Sequence, residues 1–241
     1  MSLNYTSGKP ICQVGKKTIF VSDDKGGEQT IKLEKKDEIF LPAIDKDTER
    51  EIVYISGASG SGKSYVCKRY IEQYHKAYPK RNVYVFSSLA DDPTLDKLKY
   101  LKRIKIKEEK FLTLDLTAED FKESLVLFDD CDCISNKKIV LKLTNILDSI
   151  LDTGRHFAVS LLYTSHILCN GIKTKHILGE AHKYVIYPLT ASKKHLHYLL
   201  ETYLGFDKEQ IKRLVELDGR PKTICKTYPI TCYGEREVYI K

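Results

Sequence analysis

The stretch Val53-Tyr54-Ile55-Ser56-Gly57-Ala58-Ser59-Gly60-Ser61-Gly62-Lys63-Ser64 decides how the rest of the chain is read. The run from Ile52 to Ile55 has the β-branched and aromatic character of a short strand. From Gly57 onward the residues fit G-x-x-x-x-G-K-S, the P-loop pattern. Glycines at those positions let the backbone turn tightly and aim successive N–H groups at one point, which makes a cradle for phosphate oxygens. The helix that follows adds the positive end of its dipole. Cys67, Tyr70, Ile71 and Tyr74 give that helix one apolar face. The pattern predicts that Gly57, Ala58, Ser59, Gly60, Ser61, Gly62, Lys63, Ser64 and Tyr65 bind a nucleoside triphosphate. Lys63 is expected at the β- and γ-phosphates and the Ser64 hydroxyl on Mg²⁺.

A second motif is Leu125-Val126-Leu127-Phe128-Asp129-Asp130, whose Asp129 lies 66 residues after Lys63. Four consecutive apolar residues predict a strand covered on both faces, as in a parallel sheet. Carboxylates at its C-terminal end fall on the sheet edge where the P-loop opens. This is a Walker B pattern, with Asp129 expected to hold Mg²⁺ and Asp130 to act as general base toward water. A further apolar run, Phe157 to Tyr163, ends in Thr164-Ser165-His166. A polar residue at that strand end is placed to sense the γ-phosphate. Thr164 is the first choice and Ser165 the second.

Composition limits the alternatives. With 241 residues, 42% hydrophobic and 30% charged, the chain can bury one sizeable α/β core with a small appendage. No apolar run approaches the roughly 20 residues that span a bilayer, and Met1-Ser2-Leu3-Asn4-Tyr5 lacks a signal-peptide pattern. Seven cysteines without framework spacing read as reduced thiols. Cys131 and Cys133 lack a second ligand pair at zinc-site spacing. A formal charge of +7 is compatible with a polyanionic partner without demanding one.

Two domains are expected: a β-rich N-terminal extension over 1–48 and a P-loop domain over 49–241. In the extension, Thr18 to Val21 and Thr30 to Leu33 read as a hairpin around the turn Asp23-Asp24-Lys25-Gly26-Gly27, with Ile39-Phe40-Leu41 as a third strand. Asp45 to Glu51 reads as a connector. Asn82 to Phe86 predicts a buried strand and Asp92 to Tyr100 a short helix. Lys97 to Lys110 holds seven basic residues against two acids. Such a run is either a solvated face or a DNA contact. Thr117 with Asp120 marks a helix start, Lys137 to Thr153 a long amphipathic helix stopped by Gly154, and Asp207 with Gln210 a capping box. Tyr184 to Tyr187, Thr223 to Lys226 and Glu237 to Ile240 read as strands.

The class follows from three features. A strand intervenes between the two Walker motifs, as in the additional-strand ATPases, where the sensor strand lies between the P-loop and Walker B strands. A second acid follows the Mg²⁺-binding aspartate, which suits activation of water. No N-K-x-D motif occurs, since Asn136-Lys137-Lys138-Ile139 lacks the aspartate, so a GTPase is disfavoured. The expected fold is α/β: a P-loop NTPase with a mostly parallel sheet flanked by helices and a small N-terminal β extension.

Gly57 to Ser64, Phe86-Ser87-Ser88 with Asp92, Leu125 to Asp130, and Thr153-Gly154-Arg155-His156-Phe157 before the sensor strand together resemble the poxvirus-type genome-packaging ATPases of nucleocytoplasmic large DNA viruses, in the FtsK/HerA superfamily. The resemblance covers about residues 50 to 230. It implies an ATP- and Mg²⁺-dependent motor that moves viral double-stranded DNA into the capsid. It also implies a homo-oligomeric ring, with capsid or inner-membrane proteins as further partners and a location in the host-cytoplasmic viral factory and the virion. Arg155 would then be an arginine finger for the γ-phosphate of a neighbouring subunit. The basic stretches Lys97 to Lys110 and Lys173 to Lys175 would be its DNA-contacting loops. The family commonly carries glutamine at the sensor tip, where this chain has Thr164-Ser165-His166. Two rivals remain at this stage: a phosphotransferase acting on a small acceptor, and a non-catalytic nucleotide-binding virion component.

Overall fold

The computed structural model describes residues 1–24, 26–48, 50–226 and 228–241, without the side chains of 172 and 173. Lys25, Glu49 and the side chain of Lys173, which the sequence placed in a turn, a connector and a DNA-contacting loop, lie outside the described residues. In chain order the strands are β1 (Ser2–Asn4), β2 (Lys9–Val14), β3 (Lys17–Ser22), β4 (Thr30–Lys32), β5 (Leu41–Pro42), β6 (Ile52–Ser56), β7 (Asn82–Ser87), β8 (Leu101–Ile104), β9 (Ser124–Asp129), β10 (Ser160–Ser165), β11 (Lys183–Ile186), β12 (Lys222–Cys225), β13 (Thr231–Tyr233) and β14 (Glu237–Ile240). The helices are α1 (Lys63–Ala77), α2 (Glu109–Thr113), α3 (Lys137–Thr153), α4 (Ile172–Glu180), α5 (Lys193–His197, continued as a π-helical segment to Tyr203) and α6 (Lys208–Glu216).

The main sheet runs β4-β14-β13-β12-β11-β6-β10-β9-β7-β8. From β11 to β8 all pairings are parallel; from β12 to β4 they are antiparallel. The sensor-bearing strand β10 therefore lies between the P-loop strand β6 and the Walker B strand β9, as the additional-strand class requires.

Why β9 is apolar at four successive positions is visible in the packing. Val126 and Phe128 join the core under α3 to α6, and Leu125 and Leu127 join the core under α1. Strand β6 splits the same way, with Ile52 and Tyr54 on one face and Val53 and Ile55 on the other. At the root of β6 and α1, Glu51 is buried with Lys183 (2.6 Å) and the hydroxyl of Tyr70, and Lys183 also donates to the carbonyl of Ala43 (2.9 Å). The chain entering the P-loop strand is thereby held by a buried, hydrogen-bonded ion pair.

The N-terminal strands pair differently from the expected hairpin. β3 is joined to β2 through a turn at Gly15 (φ +57) and also pairs with β1, while β5 adds to β2. β4 leaves this small sheet and pairs with β14, Thr30 opposite Tyr239. Leu3, Ile11, Ile19, Val21 and Phe40 pack against Cys225, Tyr233 and Val238, so the extension is seated on the antiparallel half of the main sheet. The third strand covers only Leu41–Pro42.

Residues 92–100 form turns instead of a helix, because Asp92 turns its carboxylate back onto the N–H groups of Thr94 and Leu95 (2.7 and 2.9 Å). The Thr117/Asp120 capping box starts a short 3₁₀ segment, Ala118–Phe121. Helix α3 spans the expected residues, opened by Asn136, which accepts from Lys138 and Ile139. At its end Gly154 is right-handed (φ −58) and is required by space: a Cβ there would sit 2.4 Å from the carbonyl oxygen of Ile150. Arg50 donates to that carbonyl and to Leu151's (2.5 and 2.8 Å), fixing the turn that carries Arg155.

Candidate nucleotide site

The P-loop leaves β6 at Gly57, whose N–H donates to the carbonyl of Ser165 (3.1 Å) at the end of the neighbouring β10. A Cβ on Gly57 would lie 2.5 Å from the ring of Tyr187, so only glycine lets the loop pass. Gly60 (φ +72) and Gly62 (φ +105) take left-handed conformations that aim the loop back into α1. No side chain caps α1, and its first-turn N–H groups face the loop. The hydroxyl of Ser61 is buried beside that of Tyr187 and makes no hydrogen bond of normal geometry among the described residues. Within a loop of this shape, such an orphan marks a place for an outside oxygen.

Lys63 is buried at 6% exposure and its ammonium is held in place. It donates to Gly57 O (3.0 Å) and to Nδ1 of His166 (3.2 Å), and lies 3.6 Å from Asp130 Oδ1. Nδ1 accepts, so Nε2 carries the ring proton and donates to Asp130 Oδ1 at 3.2 Å. Asp130 itself is left-handed (φ 48), a conformation aspartate tolerates better than most residues, and this turns its carboxylate toward Lys63.

Asp129 sits behind Asp130 with 2% exposure. Burial first, and the charge of Asp130 second, push its carboxyl up to about 6. The hydroxyl of Thr164 lies 3.1 Å from Asp129 Oδ1 and 3.3 Å from Asp130 Oδ1, and accepts from the Asp130 N–H (2.8 Å). Ser87, at the end of β7, reaches Asp129 Oδ2 only at 3.5 Å. Thr164 is fully buried. Its place is behind the two carboxylates, clamping them, and the side chain that reaches the P-loop lysine from β10 is His166. Ser165 instead turns its hydroxyl to Asp132 Oδ2 (3.0 Å) and Ile167 O (2.9 Å), the two acceptors within reach of its single proton.

Ser64 stands half-buried at the start of α1, and Tyr65 is half exposed, its ring covered by Arg69 at 4.2 Å. Beside them opens a cavity of about 330 Å³ lined by Ser61, Gly62, Tyr65, Arg69, Tyr187 and Arg220 among others. Ala58 and Ser59 are exposed at the tip of the loop.

Arg155 is exposed on the opposite edge of the sheet. It precedes β10, whereas the P-loop lies at the far end of that strand, about 16 Å away along its length. There it lines a cavity of about 490 Å³ together with Arg50, Glu51, His182 and Lys183, at the starts of β6 and β11. It cannot reach the P-loop of its own chain.

Asp132, Cys133 and His166 bring potential ligand atoms within 4.8 Å of one another. The chemistry argues against a soft-metal centre. Desolvation and the charges of Asp132 and Asp130 push the Cys133 thiol up, away from the thiolate that zinc needs, and both nitrogens of His166 are engaged. The basic run 97–110 lies on and around β8, the edge strand. Lys97, Lys99, Lys102, Lys105, Lys107 and Lys110 are exposed, while Arg103 is tied to Asp96 at 2.6 Å. Lysines on an edge strand also discourage pairing with another sheet.

The strand order, the P-loop and the paired aspartates define a P-loop NTPase fold of the additional-strand class. The chain belongs to the family of protein V3 of Sputnik virophage, an uncharacterized protein to which it is 36% identical over 98% of this chain and 96% of that one. No protein-family model matches it. Among solved structures it is similar to the DNA-packaging ATPase B204 of Sulfolobus turreted icosahedral virus, with TM-score 0.53 at 16% identity over 78% of this chain and 98% of that one. B204 of Sulfolobus turreted icosahedral virus 2 in complex with AMPPCP gives TM-score 0.53 at 17% identity over 77% and 97%. The pCW3 conjugation coupling protein TcpA gives TM-score 0.56 at 12% identity over 94% of this chain and 76% of that one. These likenesses establish the fold. Among the described residues, no helix is long and apolar enough to cross a membrane.

Proposed function

We propose that this chain is an ATP-hydrolysing motor that translocates viral double-stranded DNA into the capsid during virion assembly, acting as a homo-oligomeric ring. The observation that carries the reading is the convergence of Lys63, Asp129, Asp130 and the β10 tip at one sheet edge, beside a glycine-built cradle with an orphaned serine hydroxyl. The P-loop N–H groups and Lys63 bind the phosphates. The base and ribose enter the cavity by Tyr65, Tyr187 and Arg220. Asp130 accepts the proton of the attacking water.

The donor set fits Mg²⁺: the Ser64 hydroxyl and the Asp129 carboxylate are hard oxygen ligands, and Asp129 is a desolvated acid beside a second acid, only partly relieved by Thr164 and Lys63. When bound, that ion neutralises phosphate charge; Ser64 and Asp129 are the residues that would hold it. Arg155, on the edge away from its own P-loop, would serve a neighbour's γ-phosphate in a head-to-tail ring, whose interfaces are heterologous; its separation from its own site supports that reading. The exposed lysines around β8 offer salt-sensitive, sequence-independent contact with DNA phosphates. Kinship with a virophage protein and likeness to B204 support the viral setting; on this reading the protein works in the host-cytoplasmic viral factory and is carried in the virion. Capsid or inner-membrane proteins are then its further partners.

The test is ATP hydrolysis and ATP binding by the parent and by Lys63→Ala. Removing the ammonium is expected to lower turnover at least about 100-fold and to erase the preference for ATP over AMP. Equal turnover in the two proteins would refute the site.

A further inference from the structure

We infer that His166 is the γ-phosphate-contacting residue of this chain, and that in the nucleotide-free state the same imidazole keeps Lys63 and Asp130 out of action. The inference rests on the ATP-hydrolysing reading and assigns within it a residue and a resting state. His166 is the only side chain from the β10 tip that touches both Lys63 and Asp130 among the described residues: Nδ1 to the ammonium and Nε2 to the carboxylate, each at 3.2 Å. Thr164 is buried behind the acids and Ser165 is turned to Asp132. The His166 backbone is itself fixed, since its main-chain N–H donates to Asp132 Oδ2 (3.0 Å), the oxygen that the Ser165 hydroxyl also approaches.

The contacts dictate an exchange. An incoming γ-phosphate draws the ammonium of Lys63, which leaves Nδ1. Asp130 then has to face water. The Nε2–H that Asp130 held is thereby freed beside the ammonium of Lys63, and becomes a donor to a γ-phosphate oxygen. During hydrolysis the water oxygen bonds to the γ-phosphorus, the bond to the bridging oxygen breaks with its electron pair leaving on ADP, and the water proton passes to Asp130. His166 gains and loses no proton; it donates a hydrogen bond to charge that grows in the transition state. A carboxamide donor of similar reach serves the same purpose, so glutamine at this position conserves the role.

The experiment measures kcat, KM and AMPPCP affinity for the parent, His166→Ala and His166→Gln. His166→Ala is expected to lose about 100-fold in kcat while AMPPCP affinity stays within about threefold, which also shows that the variant is folded. His166→Gln is expected to recover at least tenfold of that loss. Turnover of His166→Ala within threefold of the parent overturns the assignment, as does a glutamine variant no better than alanine. A parent without ATP turnover refutes the enzymatic reading instead, so the two failures are told apart.

Discussion

Arg155→Ala is expected to lower ATP turnover by about 10³-fold or more while leaving ATP binding nearly unchanged. The reason is position. The guanidinium is exposed at the start of β10, and the P-loop of the same chain lies at the other end of that strand. It can act on a γ-phosphate only from a neighbouring subunit, where it would neutralise transition-state charge without holding the nucleotide. A cis role predicts no rescue by mixing; a trans role predicts it. When Lys63→Ala and Arg155→Ala proteins are combined in equal amounts, about one head-to-tail interface in four joins an intact P-loop to an intact arginine. Activity should then rise well above that of either protein alone. A mixture as inactive as its components would remove Arg155 from the neighbour's site.

Asp129→Asn should abolish hydrolysis and at the same time stabilise the nucleotide-free protein. The carboxyl of Asp129 is nearly inaccessible, and desolvation, reinforced by Asp130, raises it to about 6 from 3.8. A folded-state value above the unfolded one means the folded chain binds more protons between those limits. Stability from this group is therefore present at low pH and lost as pH rises from about 4 to about 6. Above that window the ionised group costs the fold up to roughly 3 kcal/mol, which asparagine removes. The variant should melt higher by several degrees at pH 7, on the order of 3–10 °C, and the gap should close toward pH 4. Thermal melts of both proteins across that range check the sign. A variant that melts lower at pH 7 would show that Asp129 does not carry this strain.

The parts of this molecule that could be read in the sequence are those whose chemistry is contiguous. The P-loop, the Walker B pair and helix α3 each state their geometry within about a dozen residues, through glycine placement, unbroken apolarity or 3.6-residue spacing. The N-terminal strands could not be paired that way. Thr30 finds its partner at Tyr239, a contact set by the whole sheet, and the short β13 and α4 have little periodicity to announce them. The turns at 92–100 looked helical because the apolar spacing of Leu95 and Leu98 is helical; the Asp92 carboxylate competes locally for the N–H groups a helix would need. Strand β8 is hidden by Lys102 and Arg103 and the lysines around it, since an edge strand shows charged side chains to solvent. At the site, the strand tip Thr164-Ser165-His166 was legible as a polar end. Which of the three reaches Lys63 depends on the twist of β10 and on Asp132, which no local pattern records.

The central claim is that nucleotide hydrolysis in this fold is coupled to DNA in an assembled ring. The most direct measurement is steady-state ATP turnover per subunit, with and without long double-stranded DNA, over a range of protein concentrations. The account predicts that DNA raises turnover, that the effect fades as salt increases, and that activity per subunit climbs steeply with concentration as interfaces form. Turnover that is indifferent to DNA and constant per subunit at every concentration would contradict it, and would point to an acceptor of the γ-phosphate other than water.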